Sequence, residues 1–333
     1  MKGVTRIVTL AAAFVIGAAG LCAAQDDSTL SIWTLRERPY YEALKAEPRS
    51  AKMQLVVPAW SDAFQYSVEA GTRLAWQITL GKELPIVGIE TEQPSPMGFR
   101  AGKWGVGLWI PVSFHMIEDF KDDSNPIVNT DYRFGLMTKT QIGFARQRRV
   151  GFRLTPWAHE STHLGDEFTI HAERTYPRFE RVNVSYEYLE YGISFETPTL
   201  TLRHGGIRPW NALGYYGDRL LGDTIPTLTP SSANYEPSIG VEWRQSGVAG
   251  GRVAFVSIDT RRKLVYAYHR APHQSEERQW SWSIQIGRAV QAGTSGVPLR
   301  EYFLQLYHGV NPHGQLRSQK DYTFVGLGWT FGR

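Results

Sequence analysis

Near its C-terminus the chain reads TFVGLGWTF (323–331). Val325, Leu327, Trp329 and Phe331 occupy every second position, with Gly326, Gly328 and Thr330 between them. The same period recurs in YEPSIGVEW (235–243), where Tyr235, Pro237, Ile239, Val241 and Trp243 alternate with Glu236, Ser238, Gly240 and Glu242. In QWSWSIQIG (279–287), Trp280, Trp282, Ile284 and Ile286 alternate with Gln and Ser. No helix gathers residues two apart on one face, whereas a pleated strand does so automatically. The chain therefore reads as all-β.

Two architectures produce such alternation. A soluble sandwich buries the apolar face and wets the polar one. A transmembrane barrel turns the apolar face to lipid and the polar face to its lumen. Rings at the ends of apolar faces (Tyr235, Trp243), Gly and Ser on the opposite face, and an amphipathic last strand carrying Phe331 all favour the barrel. The 11 Trp, 16 Tyr and 15 Phe sit in a chain whose mean hydropathy is only −0.31, as expected of alternating strands with interfacial rings. The expectation is an antiparallel up-and-down transmembrane β-barrel of about 12 strands over residues 51–333. Thirteen segments qualify as strands, the first (51–57) being the weakest, and an even strand number selects twelve.

Lys2 and Arg6 precede an apolar run from Ile7 to Leu21, then Cys22, Ala23 and Ala24. This pattern predicts a signal peptide over 1–24, and Leu21 argues against a lipoprotein reading of Cys22. Cys22 is the only cysteine, so a mature chain would hold no disulfide and no thiolate metal site. Residues 25–50 read as a periplasmic N-terminal segment, a plug or a clasp. With 36 basic and 32 acidic residues the charges nearly balance, which excludes a nucleic-acid partner. The expected location is the outer membrane of a Gram-negative-type envelope. The expected partners are outer-membrane lipid and the barrel-assembly machinery.

One polar stretch interrupts the pattern: HESTHLGDE (159–167). His159-Glu160-x-x-His163 has zinc-protease spacing, but that chemistry needs a helix to put both histidines on one face. Gly151, Pro156 and the flanking β-branched residues make the region a strand, so no metal site is predicted. His159-x-Ser161 is a better fit to a strand, since residues two apart leave the same face. A carboxylate or amide on an adjacent strand would then orient the imidazole for a serine nucleophile. A polar network without chemistry fits the same residues. Val150, Phe152, Leu154 and Ala158 form the apolar phase, which leaves His159 and Ser161 in the lumenal phase unless a bulge intervenes.

H-x-S on a barrel strand resembles the outer-membrane phospholipase A and the lipid A deacylases. That resemblance implies Ser161 as nucleophile, His159 as base, and Glu173, Glu180 or Asn183 as the third member. It would admit calcium as a cofactor; otherwise none is expected. Over most of its length the chain also resembles the domain-of-unknown-function family 1207. The matching pieces are ALKAEPRSAKMQL (43–55), SNPIVNTDYRFG (124–135), HESTHLGDE, RVNVSYEYL (181–189) and NPHGQLR (311–317). In that family the position of Glu160 is not tied to Glu, and Thr162 departs from its usual Ser. The family implies an outer-membrane location and specifies no reaction.

Those pieces suggest one shared polar network. Asn129, Asp131 and Arg133 alternate on one strand, and His159, Ser161 and His163 on the next, with Asp166 and Glu167 beyond. Asn183, Ser185 and Glu187 alternate on the strand after. Two functions follow as expectations: a structural or transport-like barrel with this network in its lumen, or a lipid-acting serine hydrolase.

Overall fold

The computed structural model describes residues 30–35, 40–61, 75–91, 104–119, 127–144, 148–166, 185–211, 235–245, 252–264, 278–290, 300–317 and 319–331. Its strands are β1 (Leu30–Thr34), β2 (Gln54–Ser61), β3 (Ala75–Thr91), β4 (Trp104–Asp119), β5 (Ile127–Phe144) and β6 (Arg148–Leu164). They continue as β7 (Ser185–Glu196), β8 (Leu200–Asn211), β9 (Glu236–Arg244), β10 (Arg252–Leu264), β11 (Arg278–Val290), β12 (Arg300–Gly309) and β13 (Tyr322–Phe331). The segment expected to be a signal peptide lies outside the described residues.

Every pairing is antiparallel, and β2 to β13 run as a meander in which each strand bonds to the next. The β2–β13 pairing, Gln54 opposite Thr330 through Ser61 opposite Phe324, closes it into a twelve-stranded barrel. The weak first candidate strand thus supplies the closing edge. β1 is an extra strand: it pairs with Val87–Thr91 of β3, on the same side where β2 pairs with Gln77–Thr79. The chain leaves β1 at Leu35, whose φ of 50° turns it off the sheet.

The wall is built inside out relative to a water-soluble protein. Ile239, Trp280 and Leu327 are more than half exposed on the outside, while Glu242 and Ser257 facing inward have no exposed surface. An apolar surface of this extent does not persist in water but suits acyl chains. The alternation read from 235–243, 279–287 and 323–331 is the alternation observed. The fold is an outer-membrane-type β-barrel.

Residues 40–50, part of the segment read as a plug or a clasp, are packed inside the barrel. Glu47 lies 3.2 Å from Arg153 of β6 and 3.2 Å from Arg203 of β8, and 3.9 Å from Arg261 of β10. Two of these cations also lie over the Tyr41 ring, Arg153 at 4.9 Å and Arg203 at 4.3 Å from its centroid. Lys45 pairs with Glu301, and its backbone N–H donates to Glu242 at 2.9 Å. Burial alone would raise the Glu47 carboxyl, but Arg153, Arg203 and Arg261 together hold it down at about 2. From the opposite end, residues 310–317 fold in as well, with a 3₁₀ turn at Gly314–Leu316. Asn311, His313 and Arg317 are all buried there.

The two ends differ. Three residues separate β5 from β6 and three separate β7 from β8, at the end where Phe331 lies. At the other end, 165–184 separate β6 from β7 and 212–235 separate β8 from β9. Short turns beside the C-terminus and long loops opposite are the usual polarity of these barrels, with the long loops outside the cell.

Candidate functional site on the outer wall

His159 and Ser161 lie five and three residues short of the long-loop end of β6 at Leu164. Their direction is decided by a bulge. Leu154 pairs with Thr138 and Trp157 with Leu136, so two residues of β6, Thr155 and Pro156, oppose Met137 alone. The register against β7 slips at the same place, between Thr155 and Ala158. Pro156 has no N–H to give the ladder, and bulges are where a sheet tolerates that loss.

The extra residue shifts the phase by one. Below the bulge Phe152 and Leu154 face outward, with Arg153 and Thr155 inward; above it Ala158, Glu160 and Thr162 face inward. His159 and Ser161 are therefore half-buried on the outer wall, and His163 is exposed beside them. This corrects the lumenal placement that unbroken alternation predicts.

The neighbours on that wall differ by side. Toward β5, Ser161 pairs with Tyr132 and His159 with Phe134. The Phe134 ring lies 5.4 Å from His159 and meets Trp157 edge-on at 5.4 Å. Toward β7, Ser161 pairs with Ser185 and His159 with Glu187. Glu187 also faces outward, half-buried. Directly opposed residues hold their Cβ atoms about 4.5–5.5 Å apart, within reach of a carboxylate–imidazole hydrogen bond. One flank is thus an aromatic wall suited to acyl chains, and the other carries a carboxylate.

Glu187 was expected in the polar network but not as the partner of His159. The candidates for that role, Glu173, Glu180 and Asn183, lie outside the described residues, as does Glu167. Only the cross-strand register picks Glu187. That register depends on where the chain re-enters the sheet after 165–184, which no local pattern reveals.

The expected network divides into two faces. Asn129, Asp131 and Arg133 are buried in the lumen, whereas His159, Ser161, His163 and Glu187 face out, and Asp166 is exposed beyond the strand end. Ser185 is in register with Ser161. Inside, Asn129 Nδ2 donates to Asp131 at 3.0 Å, and the Gly314 N–H donates to both Asp131 oxygens at 3.1 Å. Arg133 pairs with Glu190, and its Nη1 donates to the carbonyl of Arg49 at 2.9 Å. Glu160 pairs with Arg49.

The zinc arrangement is not formed. His159 and His163 sit four residues apart on an extended strand, about 13 Å along it. Glu160, which would be the base, points to the opposite side of the wall. Among the described residues no cluster of His, Cys, Asp and Glu is arranged to hold a metal ion.

The fold has solved counterparts. An active-site mutant of outer membrane phospholipase A from Escherichia coli superposes with a TM-score of 0.51 at 10% identity, covering 90% of this chain and 95% of that one. The outer membrane protein OprD from Pseudomonas aeruginosa matches at 0.34 and 9% identity, covering 87% and 96%. The translocator domain of the autotransporter NalP from Neisseria meningitidis matches at 0.32 and 10%, covering 86% and 91%. At 10% identity the likeness to the phospholipase is one of fold alone. No curated protein matches the sequence. Residues 15–332 match the family described as "Protein of unknown function (DUF1207)", and the chain belongs to that family.

Proposed function

We propose that this protein is a lipid-acting serine hydrolase of the outer membrane, with its site on the lipid-facing wall below the long loops. The observation that carries this reading is the bulge at Thr155–Pro156, which delivers His159 and Ser161 to the outer surface. A water-soluble substrate would have no reason to meet a nucleophile there; an acyl ester of the bilayer lies against it. Ser161 Oγ attacks the ester carbonyl while His159 takes its proton. The tetrahedral intermediate then expels the alcohol, which receives that proton from His159. Water, deprotonated by the same imidazole, releases the fatty acid from the acyl-enzyme. Glu187 holds the imidazole in the accepting tautomer and supports its cation. Phe134, Tyr132 and Trp157 offer a surface for the acyl chain.

The test is fatty-acid release from phospholipid and lipid A vesicles by the purified protein, with calcium supplied. Release that disappears in Ser161→Ala supports the reading. No release from either lipid, or release unchanged in that variant, removes it.

The filled lumen favours a second reading, a closed structural barrel without chemistry. Its interior ion pairs are the kind that stiffen a wall, and it predicts no turnover of any lipid. The same packing weighs against a transport role, since residues 40–50 occupy the space a solute would need.

A further inference from the structure

The two sides of β6 are mechanically one object. Glu160 lies between His159 and Ser161, so whatever holds Glu160 in the lumen holds its two neighbours against the lipid. The residue that holds it is Arg49, from the segment threaded through the barrel: the two form an ion pair with side chains 8% and 2% exposed. Arg49 is itself fixed, because its carbonyl accepts from Arg133 Nη1 at 2.9 Å. The next inward residue, Thr162, is braced independently. Gly314 packs so closely that a Cβ there would fall 2.1 Å from Thr162 Cγ2, and its N–H is bound to Asp131. β6 needs such an anchor because its sequence offers two phases. Without the bulge, His159 and Ser161 would share the inward face with Arg153 and Thr155, and Glu160 would face lipid.

We propose that Arg49 is a positioning residue: its lumenal ion pair with Glu160 locks β6 in the phase that presents His159 and Ser161 to the membrane. Its effect on turnover rests on the hydrolase reading; its effect on side-chain direction does not. The N-terminal segment thereby becomes part of the site although it touches none of the reacting atoms.

The experiment has two arms on the full chain, reconstituted in phosphatidylethanolamine–phosphatidylglycerol vesicles. In the first, fatty-acid release is measured for Arg49→Ala and Arg49→Lys. Misplacement of a catalytic pair costs about 10- to 100-fold. Arg49→Ala is expected to lose that much in kcat with KM nearly unchanged, and Arg49→Lys to recover most of it. In the second, Ser161→Cys in a Cys22→Ala background is labelled with a bilayer-partitioning maleimide. Adding Arg49→Ala is expected to slow labelling several-fold, and Arg49→Lys to restore it. Heat-modifiable gel mobility identifies closed barrels in each sample, and only these are scored. Labelling unchanged by Arg49→Ala overturns the proposal. Labelling that depends on Arg49 in a protein that releases no fatty acid sustains it and removes the hydrolase reading instead.

Discussion

In the proposed mechanism Glu187, in register with His159, supplies what an isolated imidazole on a lipid-facing wall lacks, a fixed tautomer and a counter-charge. Removing its charge while keeping its shape isolates that contribution. Glu187→Gln is expected to lower kcat for fatty-acid release by about 100-fold or more, with little change in KM, and Glu187→Asp to fall between the two. Steady-state kinetics on one phospholipid checks both. That His159 and Ser161 share a face was legible from their spacing alone. Which face they share was not, because the phase of β6 changes at Pro156. The zinc-like spelling of His159-Glu160-x-x-His163 misleads for the same reason: on a strand its members divide between lipid and lumen.

Most elements of the barrel were legible because lipid outside and a packed lumen inside impose strict alternation, as along β9, β11 and β13. β1 was not, nor were the partners that hold 40–50, for which a plug and a clasp were both open. Tyr41, Lys45, Glu47 and Arg49 are held by side chains from β6, β8, β10 and β12, far away in sequence, so no local period marks them. Among the elements β6 is decisive, and its phase can be reversed. Deleting Pro156 only makes the ladder regular, leaving Thr155 alone opposite Met137 and His159 and Ser161 outward as before. Inserting one alanine between Ala158 and His159 turns His159 and Ser161 inward and separates Glu160 from Arg49. Breaking a buried ion pair in this way costs about 3–5 kcal/mol. The insertion is expected to abolish lipid hydrolysis and to lower the urea midpoint of the barrel, read by intrinsic tryptophan fluorescence. Activity surviving the insertion would mean that the phase of β6 does not set the direction of the site.

At the scale of the whole molecule, the described residues fill the lumen with a charged core to which 40–50 and 310–317 contribute from opposite ends. The protein is expected to be silent in planar bilayers. Its interior also sets its response to acid. Burial, with Lys263 and Arg49 nearby, holds the His313 imidazole down at about 3. An unfolded chain would protonate that ring below about 6.5, so its contribution to stability is complete above that pH and is lost as the pH falls toward 3. Glu47, held at about 2, contributes fully above its unfolded value near 4.5 and loses that contribution as the pH falls through 2. Both act in one direction, and His313 acts first. The His313 contribution is expected to appear as a difference: between pH 6.5 and 4.5 the urea midpoint of His313→Asn changes less in the downward direction than that of the unsubstituted protein. The most direct test of the central claim is covalent capture of the nucleophile in a bilayer. A fluorophosphonate carrying an acyl chain should form a single adduct, located by peptide mass spectrometry at Ser161 and absent from His159→Ala. An unmodified Ser161, or an adduct that forms equally well without His159, would contradict it.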